Sequence, residues 1–346
     1  LNNMAGGIER QLVRVANELN QLGFKTIILS YDNEPSLSFY FISNDIKWIK
    51  CGNGLKPHAS APFWLRIKQI YNLRKILQKN AVTHLILHHG IFLDLFGIFV
   101  SPIKKIVSER NSLKNYKYIK LSKFNPGYFS LFLADKITVQ LDSYIQEYPK
   151  ILKNKINVVP NLLIKNSEYI TPNIEGSTIS MMGRLSAQKN FTPLLDQCLE
   201  NIDLSKSIRI KIAGEGEYRK LFESKYYKLI SMGILELLGN IKNTEQFFRS
   251  STLFCFPSLW EGYPNALVEA LSAGLPIVLS NRLLNLDGFV ENEYNGKIVS
   301  DRKYLSSIIS MLRNRQELKL MSQRSYLKYK VLYKKSSIKN WINLIN

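Results

Sequence analysis

Glu261 and Glu269 stand eight residues apart in Phe256–Pro276, FPSLWEGYPNALVEALSAGLP, the segment of this chain best equipped for chemistry. Gly262 and Pro264 place Glu261 on a loop. Pro264 suits the first turn of a helix and Gly274 suits its exit, so the helix carries Glu269 about a turn further in. The two carboxylates therefore do not share one continuous helical face. Free backbone N–H groups at that helix N-terminus can hold a phosphate. Carboxylates accept paired hydrogen bonds from vicinal hydroxyls, as on ribose or a hexose. Together they suit a sugar linked through diphosphate to a nucleoside.

Other motifs follow one another along the chain: Gly6-Gly7-Ile8-Glu9, the pair His88-His89, Ser108-Glu109-Arg110-Asn111 and Val158-Val159-Pro160-Asn161. Gly183-Arg184-Leu185 with Lys189 comes next, then Ala213-Gly214-Glu215-Gly216 and Leu238-Gly239. In this order, and with the E-x7-E block, the chain resembles the retaining GT-B glycosyltransferases of family GT4 over nearly its whole length. The E-x7-E block with GRL-x3-K is the specific part; glycine pairs alone are weak. One departure is Leu87, where the family often has the first histidine of an H-x-H strand end.

The resemblance implies roles residue by residue. Arg184 and Lys189 would grip the diphosphate, where cationic charge stabilises the leaving nucleotide. Glu269 would hold the ribose hydroxyls and Glu261 the transferred sugar. Backbone groups of Gly262, Tyr263, Pro264, Asn265, Ala266 and Leu267 would meet phosphate and sugar. Gly214, Glu215, Gly216 and Gly239 would line the base. Gly7 would let the first helix approach the phosphates, with Glu9 nearby, and His89 would face the sugar or acceptor. As a lone residue, each has a plainer reading, a solvated charge for Arg184 or Lys189 and a core histidine for His89. The resemblance further implies a hexosyltransferase that needs neither cofactor nor metal. Its partners would be a nucleotide-sugar donor and a glycan or lipid-linked glycan acceptor, in capsular, O-antigen or lipopolysaccharide synthesis.

Elements must position these residues. Ile8, Leu12, Val15, Ala16, Leu19 and Leu22 recur at helical spacing, with Gly23 as a C-terminal cap. Strands are predicted at Lys25–Ser30, His84–Leu87, Lys104–Ser108 and Lys136–Gln140, and Asn157–Pro160 is read as leading across to the second half. A second series runs Ser177–Met182, Ile208–Ala213, Ile234–Leu238, Leu253–Phe256 and Ile277–Ser280, and Asn243 with Gln246 forms a capping box. Strands separated by helices mean parallel sheets. The expected fold is α/β, two doubly wound Rossmann-like domains facing a central cleft, at 1–160 and 161–330. A C-terminal helix near 330–346 is expected to pack back on the first. A glycine loop feeding a helix normally follows a strand, so one strand is expected to be missing before Gly6.

The chain has 346 residues, 45% hydrophobic and 21% charged, with a formal net charge of +20. That size favours two domains, and no apolar run reaches the roughly 18 residues of a spanning helix. Its three cysteines are scattered and supply no metal-ligand pair, which suits a cytoplasmic protein. There is no D-x-D to hold a cation. Part of the charge lies in Trp64–Asn80, WLRIKQIYNLRKILQKN, and in Lys114, Lys117, Lys120 and Lys123. The first reads as a basic amphipathic helix with Trp64, Ile67, Tyr71 and Leu77 apolar. It either lies on an anionic membrane or packs that side on its own domain. No aromatic–basic RNA motif or helix-turn-helix pattern supports a nucleic-acid partner, and no G-x-G-x-x-G after a strand supports an oxidoreductase. A nucleotide-sugar epimerase or hydrolase of the same architecture remains the nearest rival.

Overall fold

Strands joined through helices return alongside their predecessors in the same direction, which builds parallel sheets. The chain divides into two compact units, Leu1–Leu163 with Ser336–Asn346, and Ile164–Lys335. The computed structural model describes residues 6–33, 35, 37–52, 63–88, 101–115, 131–163, 169, 171–283, 286 and 288–346.

In the first unit, helix α1 (Gly7–Gln21) begins after the extended Gly6. It closes where Gly23 adopts φ +88° and its N–H bonds Asn20 O at 3.0 Å. Val15, Ala16 and Leu19 are buried, but Ile8 and Leu22, grouped with them by spacing, are exposed at the helix ends. Strands β1 (Ile27–Ser30) and β2 (Lys47–Lys50) pair in parallel. Helix α2 (Phe63–Lys79) leads to a four-stranded parallel sheet of β3 (His84–His88), β4 (Lys104–Ser108), β5 (Lys136–Val139) and β6 (Ile156–Val158). Successive strand residues face opposite sides. Ile28 accordingly packs with Leu12 and Ala16 of α1, whereas Leu29 packs with Leu73 and Leu77 of α2. The two helices cover opposite faces. The apolar side expected of α2 is therefore split. Leu73 and Leu77 are buried, while Trp64, Ile67 and Tyr71 are 66%, 52% and 60% exposed.

The second unit holds β7 (Thr178–Met182), α3 (Thr192–Glu200), α4 (Ile202–Ser205), β8 (Arg209–Ala213), α5 (Arg219–Lys225), α6 (Tyr227–Ser231) and β9 (Leu235–Gly239). It continues with α7 (Thr244–Arg249), β10 (Leu253–Phe256), α8 (Asn265–Ser272), β11 (Ile277–Ser280), β12 (Gly296–Val299), α9 (Tyr304–Arg313) and α10 (Arg315–Lys335). The sheet is six-stranded and parallel, in the order β12-β11-β10-β7-β8-β9. All four residues of β10 and of β11 are buried, as expected of strands covered on both faces. Asn243 Oδ1 caps α7 by accepting Gln246 N–H at 2.9 Å. Strand order reverses between β7 and β10, the two central strands.

The chain then returns to the first unit as α11 (Lys339–Ile345). Trp341 and Leu344 are buried against Val15 and Leu19 of α1, Ile106 of β4, Val159 and Leu162. Ser336 Oγ donates to Asn161 O at 2.8 Å and accepts from Leu163 N–H at 2.7 Å. Lys136 Nζ donates to Leu344 O at 3.1 Å, placing a cation on the helix C-terminus.

Candidate active site

Doubly wound sheets bind ligands beyond the carboxyl ends of their strands, where the strand order reverses. In the second unit that place is the pair of loops after β7 and β10. The loop after β7 is tied to its other neighbour first. Gly183 N–H donates to Ala213 O at 3.0 Å, Leu185 N–H to Glu215 O at 3.0 Å, and Gly214 N–H to Gly239 O at 2.7 Å. Gly214 has φ +137°, and a Cβ there would overlap the Gly183 carbonyl oxygen. No other residue type fits. The Gly183, Gly214 and Gly239 loops thus meet at backbone distance, and Glu215 turns its carboxylate to Arg219 at 3.1 Å.

On the other side, residues after β7 are stitched to residues after β10. Leu259 N–H donates to Gln188 O at 2.9 Å, and Gln188 Nε2 donates to Trp260 O at 2.8 Å. Asn190, left-handed at φ +50°, donates from Nδ2 to Pro257 O at 3.2 Å. These bonds fix a short turn, Ala187–Lys189, opposite the segment that carries Glu261. Lys189 Nζ lies 2.6 Å from Glu261 Oε1, with side chains only 16% and 8% exposed. The ammonium also stands 5.5 Å from the Phe256 ring centroid. Arg184, from the same loop, is exposed. Lys189 is thus a paired cation beside a buried carboxylate, and Arg184 is a solvent-facing cation on the same loop.

Helix α8 begins directly after that carboxylate, with Pro264 as its N-terminal flanking residue. First-turn amides such as those of Ala266 and Leu267 have no helical carbonyl to bond and can face an anion. Tyr263 and Leu267 are buried, and the Tyr263 ring packs edge-on to Phe289 at 5.7 Å. Burial pushes the Tyr263 hydroxyl far above the usual phenol range, with Tyr329 adding to it. What Tyr263 offers a ligand is therefore its backbone. Glu269 is half-buried on the second turn of α8. Gly274, at φ +70°, ends the segment as its spacing suggested.

The first unit has its own polar cluster at the carboxyl ends of β3 to β6. His88 Nδ1 accepts from Arg110 Nε and Nη2 at 3.1 and 2.9 Å. An arginine only donates, so the ring proton sits on Nε2. Burial, with Arg110 beside it, holds His88 well below the usual imidazole value. Arg110 Nη1 and Gln140 Nε2 both donate to Asn161 Oδ1, at 3.0 and 2.8 Å, and Trp341 lies against His88 and Arg110. Glu109 is buried alongside. Gly7 is exposed at the start of α1, and the Glu9 carboxylate folds back over Gly6. His89 lies outside the described residues.

Sequence reasoning missed Gln188 and Asn190, which position the Lys189 loop without belonging to it chemically. Asn190 carried a signal, since asparagine is enriched in left-handed backbone. Gln188 carried none.

Residues 168–328 match the family described as glycosyl transferases group 1. The chain carries a group 1 glycosyl transferase domain. That domain spans the β7, β8, β9 and β10 loops and α8. A glycosyltransferase of Haemophilus influenzae, itself uncharacterised, is 26% identical over 331 residues, covering 93% of this chain and 91% of the relative. The Escherichia coli UDP-Gal:alpha-D-GlcNAc-diphosphoundecaprenol alpha-1,3-galactosyltransferase is 34% identical over 255 residues, 71% of this chain. This chain spans 55% of that relative's length and 59% of an archaeal one from Methanocaldococcus jannaschii. Among solved structures, WaaG, a glycosyltransferase involved in lipopolysaccharide biosynthesis, superposes with a TM-score of 0.73 at 13% identity, covering 99% of this chain and 96% of WaaG. At that identity the likeness shows the fold, which is GT-B.

Proposed function

We propose that this chain transfers a hexose-type sugar, with retention, from a nucleotide-diphosphate sugar to an acceptor hydroxyl. The observation that carries the reading is the Lys189–Glu261 pair, set where the strand order reverses and immediately before the N-terminus of α8. A diphosphate there meets Lys189, Arg184 and the first-turn amides, and Glu261 and Glu269 take sugar and ribose hydroxyls. In the transfer step the acceptor oxygen bonds to the anomeric carbon as the bond from that carbon to the diphosphate oxygen breaks. The acceptor proton passes to the departing diphosphate on the same face. Cations and helix amides stabilise the charge that builds up, so no metal is required. The E. coli relative supports a uridine diphosphate donor and a lipid-diphosphate-linked sugar acceptor, as in envelope polysaccharide synthesis. Such an acceptor would hold the enzyme at the inner face of the cytoplasmic membrane. Among the described residues, no helix is long and apolar enough to cross a membrane.

A panel of nucleotide-sugars, incubated with and without cell-envelope lipid extract, tests this. The expected result is donor turnover that depends on the extract and survives a chelator. Free sugar or an epimerised donor released without acceptor would favour the epimerase or hydrolase reading instead. Activity lost to the chelator and restored by magnesium would remove the metal-free mechanism.

A further inference from the structure

We propose that the exposed side of α2 is a docking surface for an anionic lipid bilayer; this deepens the reading of a membrane-bound acceptor and rests on it. The helix carries two apolar rows. Leu73 and Leu77 form the inner row and are 4% exposed each, packed with Ile103. Trp64, Ile67 and Tyr71 form the outer row and are exposed. At about 100° per residue they fall within an arc of about 60°. Lys68, Lys75 and Lys79 flank them within about 60° on the other side of Trp64, also exposed. Lys75 Nζ stands 5.5 Å from the Tyr71 ring centroid. Residues 63–80 contain no aspartate or glutamate. Tryptophan and tyrosine settle at the headgroup level, where lysine stems lie on apolar surface and their ammonium groups reach anionic phosphates.

Charge decides which surface docks, because the first unit exposes a second apolar cluster. Leu37, Phe39 and Phe41 are exposed on a segment pinned to α1 by Asn17, whose Nδ2 donates to Phe41 O at 2.8 Å and whose Oδ1 accepts Ser43 N–H at 3.0 Å. Helix α1 covers the opposite sheet face from α2. Residues 32–46 contain no lysine or arginine but include Asp32, Glu34 and Asp45. An anionic surface therefore favours the α2 side over this segment.

Vesicle co-sedimentation of the full chain tests the assignment. Phosphatidylcholine vesicles with added phosphatidylglycerol should retain the protein, and phosphatidylcholine alone should retain much less. Lys68→Gln/Lys75→Gln/Lys79→Gln should lower partition on the order of 100-fold, at about fivefold per lysine. Trp64→Ser/Tyr71→Ser should weaken binding and abolish a blue shift of tryptophan emission on lipid addition. Leu37→Ser/Phe41→Ser should change neither. All altered side chains are exposed, and unchanged melting confirms that each variant folds. Equal recovery on both vesicle types overturns the proposal, as does loss of binding in the Leu37/Phe41 variant alone. A lipid-free dimer that dissociates in Trp64→Ser/Tyr71→Ser assigns the row to self-association and also overturns it. The two readings fail separately: a chain that binds anionic vesicles but turns over no nucleotide-sugar keeps the docking surface and loses the transfer reaction. Turnover with no vesicle binding does the reverse.

Discussion

Lys189 faces a choice of anions. In the free protein its ammonium is neutralised by Glu261 at 2.6 Å. On the proposed reading, a diphosphate competes with that carboxylate. If Glu261 holds the transferred sugar as proposed, Glu261→Gln should bind a nucleoside diphosphate more tightly while sugar transfer falls. Lys189→Ala should lose on the order of 10- to 150-fold in transfer, the worth of one charge-assisted contact at about 1.5–3 kcal/mol. Calorimetric titration with the nucleotide, beside donor turnover, separates the two effects. Weaker nucleotide binding by Glu261→Gln would remove the competition. His88 gives a second residue-scale expectation. Its folded value is depressed from the ordinary 6.5 by burial and by Arg110. The unfolded chain therefore takes up a proton first, and stability is lost as pH falls below 6.5, at up to about 1.4 kcal/mol per pH unit. His88→Gln should flatten that acid slope in urea melts between pH 7.5 and 5.5. An identical slope in the variant would show that other groups carry it.

At the scale of elements, glycines at two loops should respond differently. Gly233 adopts φ +68° with nothing near a prospective Cβ, so Gly233→Ala meets only left-handed strain, about 1–2 kcal/mol. Gly214 adds overlap with the Gly183 carbonyl, and Gly214→Ala must push the β7 and β8 loops apart. Denaturant melts should show the larger loss at Gly214, and donor turnover should fall only there. Comparable losses would mean that the loops do not need their close approach. The Gly214 loop was readable because its closely spaced glycines are unusual for a local reason. Strands at Leu253–Phe256 and Ile277–Ser280 were readable for a local reason as well, being short continuous apolar runs. Lys47–Lys50 and Gly296–Val299 were not, since KWIK and GKIV mix charge with few apolar residues and are held mainly by their neighbours. The outer row of α2 was ambiguous because its two apolar rows look alike until Leu29 and Ile103 choose one. The Lys189–Glu261 pair was assembled from two motifs, but their direct contact across 72 residues depends on Gln188 and Asn190.

At the scale of the molecule, the first unit depends on residues from both ends of the sequence described. Trp341 is 1% exposed and Leu344 5%, in a cluster that also holds α1 and β4 residues. Ending the chain at Lys335 removes both. Each buried side chain of this size contributes about 2–5 kcal/mol, a large part of a domain's total of about 5–15 kcal/mol. Calorimetry of the truncated chain should show the first unit melting far earlier and the second unchanged. Two unaltered transitions would show that α11 is dispensable.

That return of the chain also sets a timetable at the ribosome. Residues 1–163 emerge early, but the surface awaiting Trp341 stays uncovered until residues 164–335 have been made. At about 5–20 residues per second that interval is on the order of 10–30 s. The second unit, continuous in sequence, can fold meanwhile. The first to be synthesised is thus the last to be finished, and for that interval its open core is a client for whatever chaperone waits at the tunnel exit.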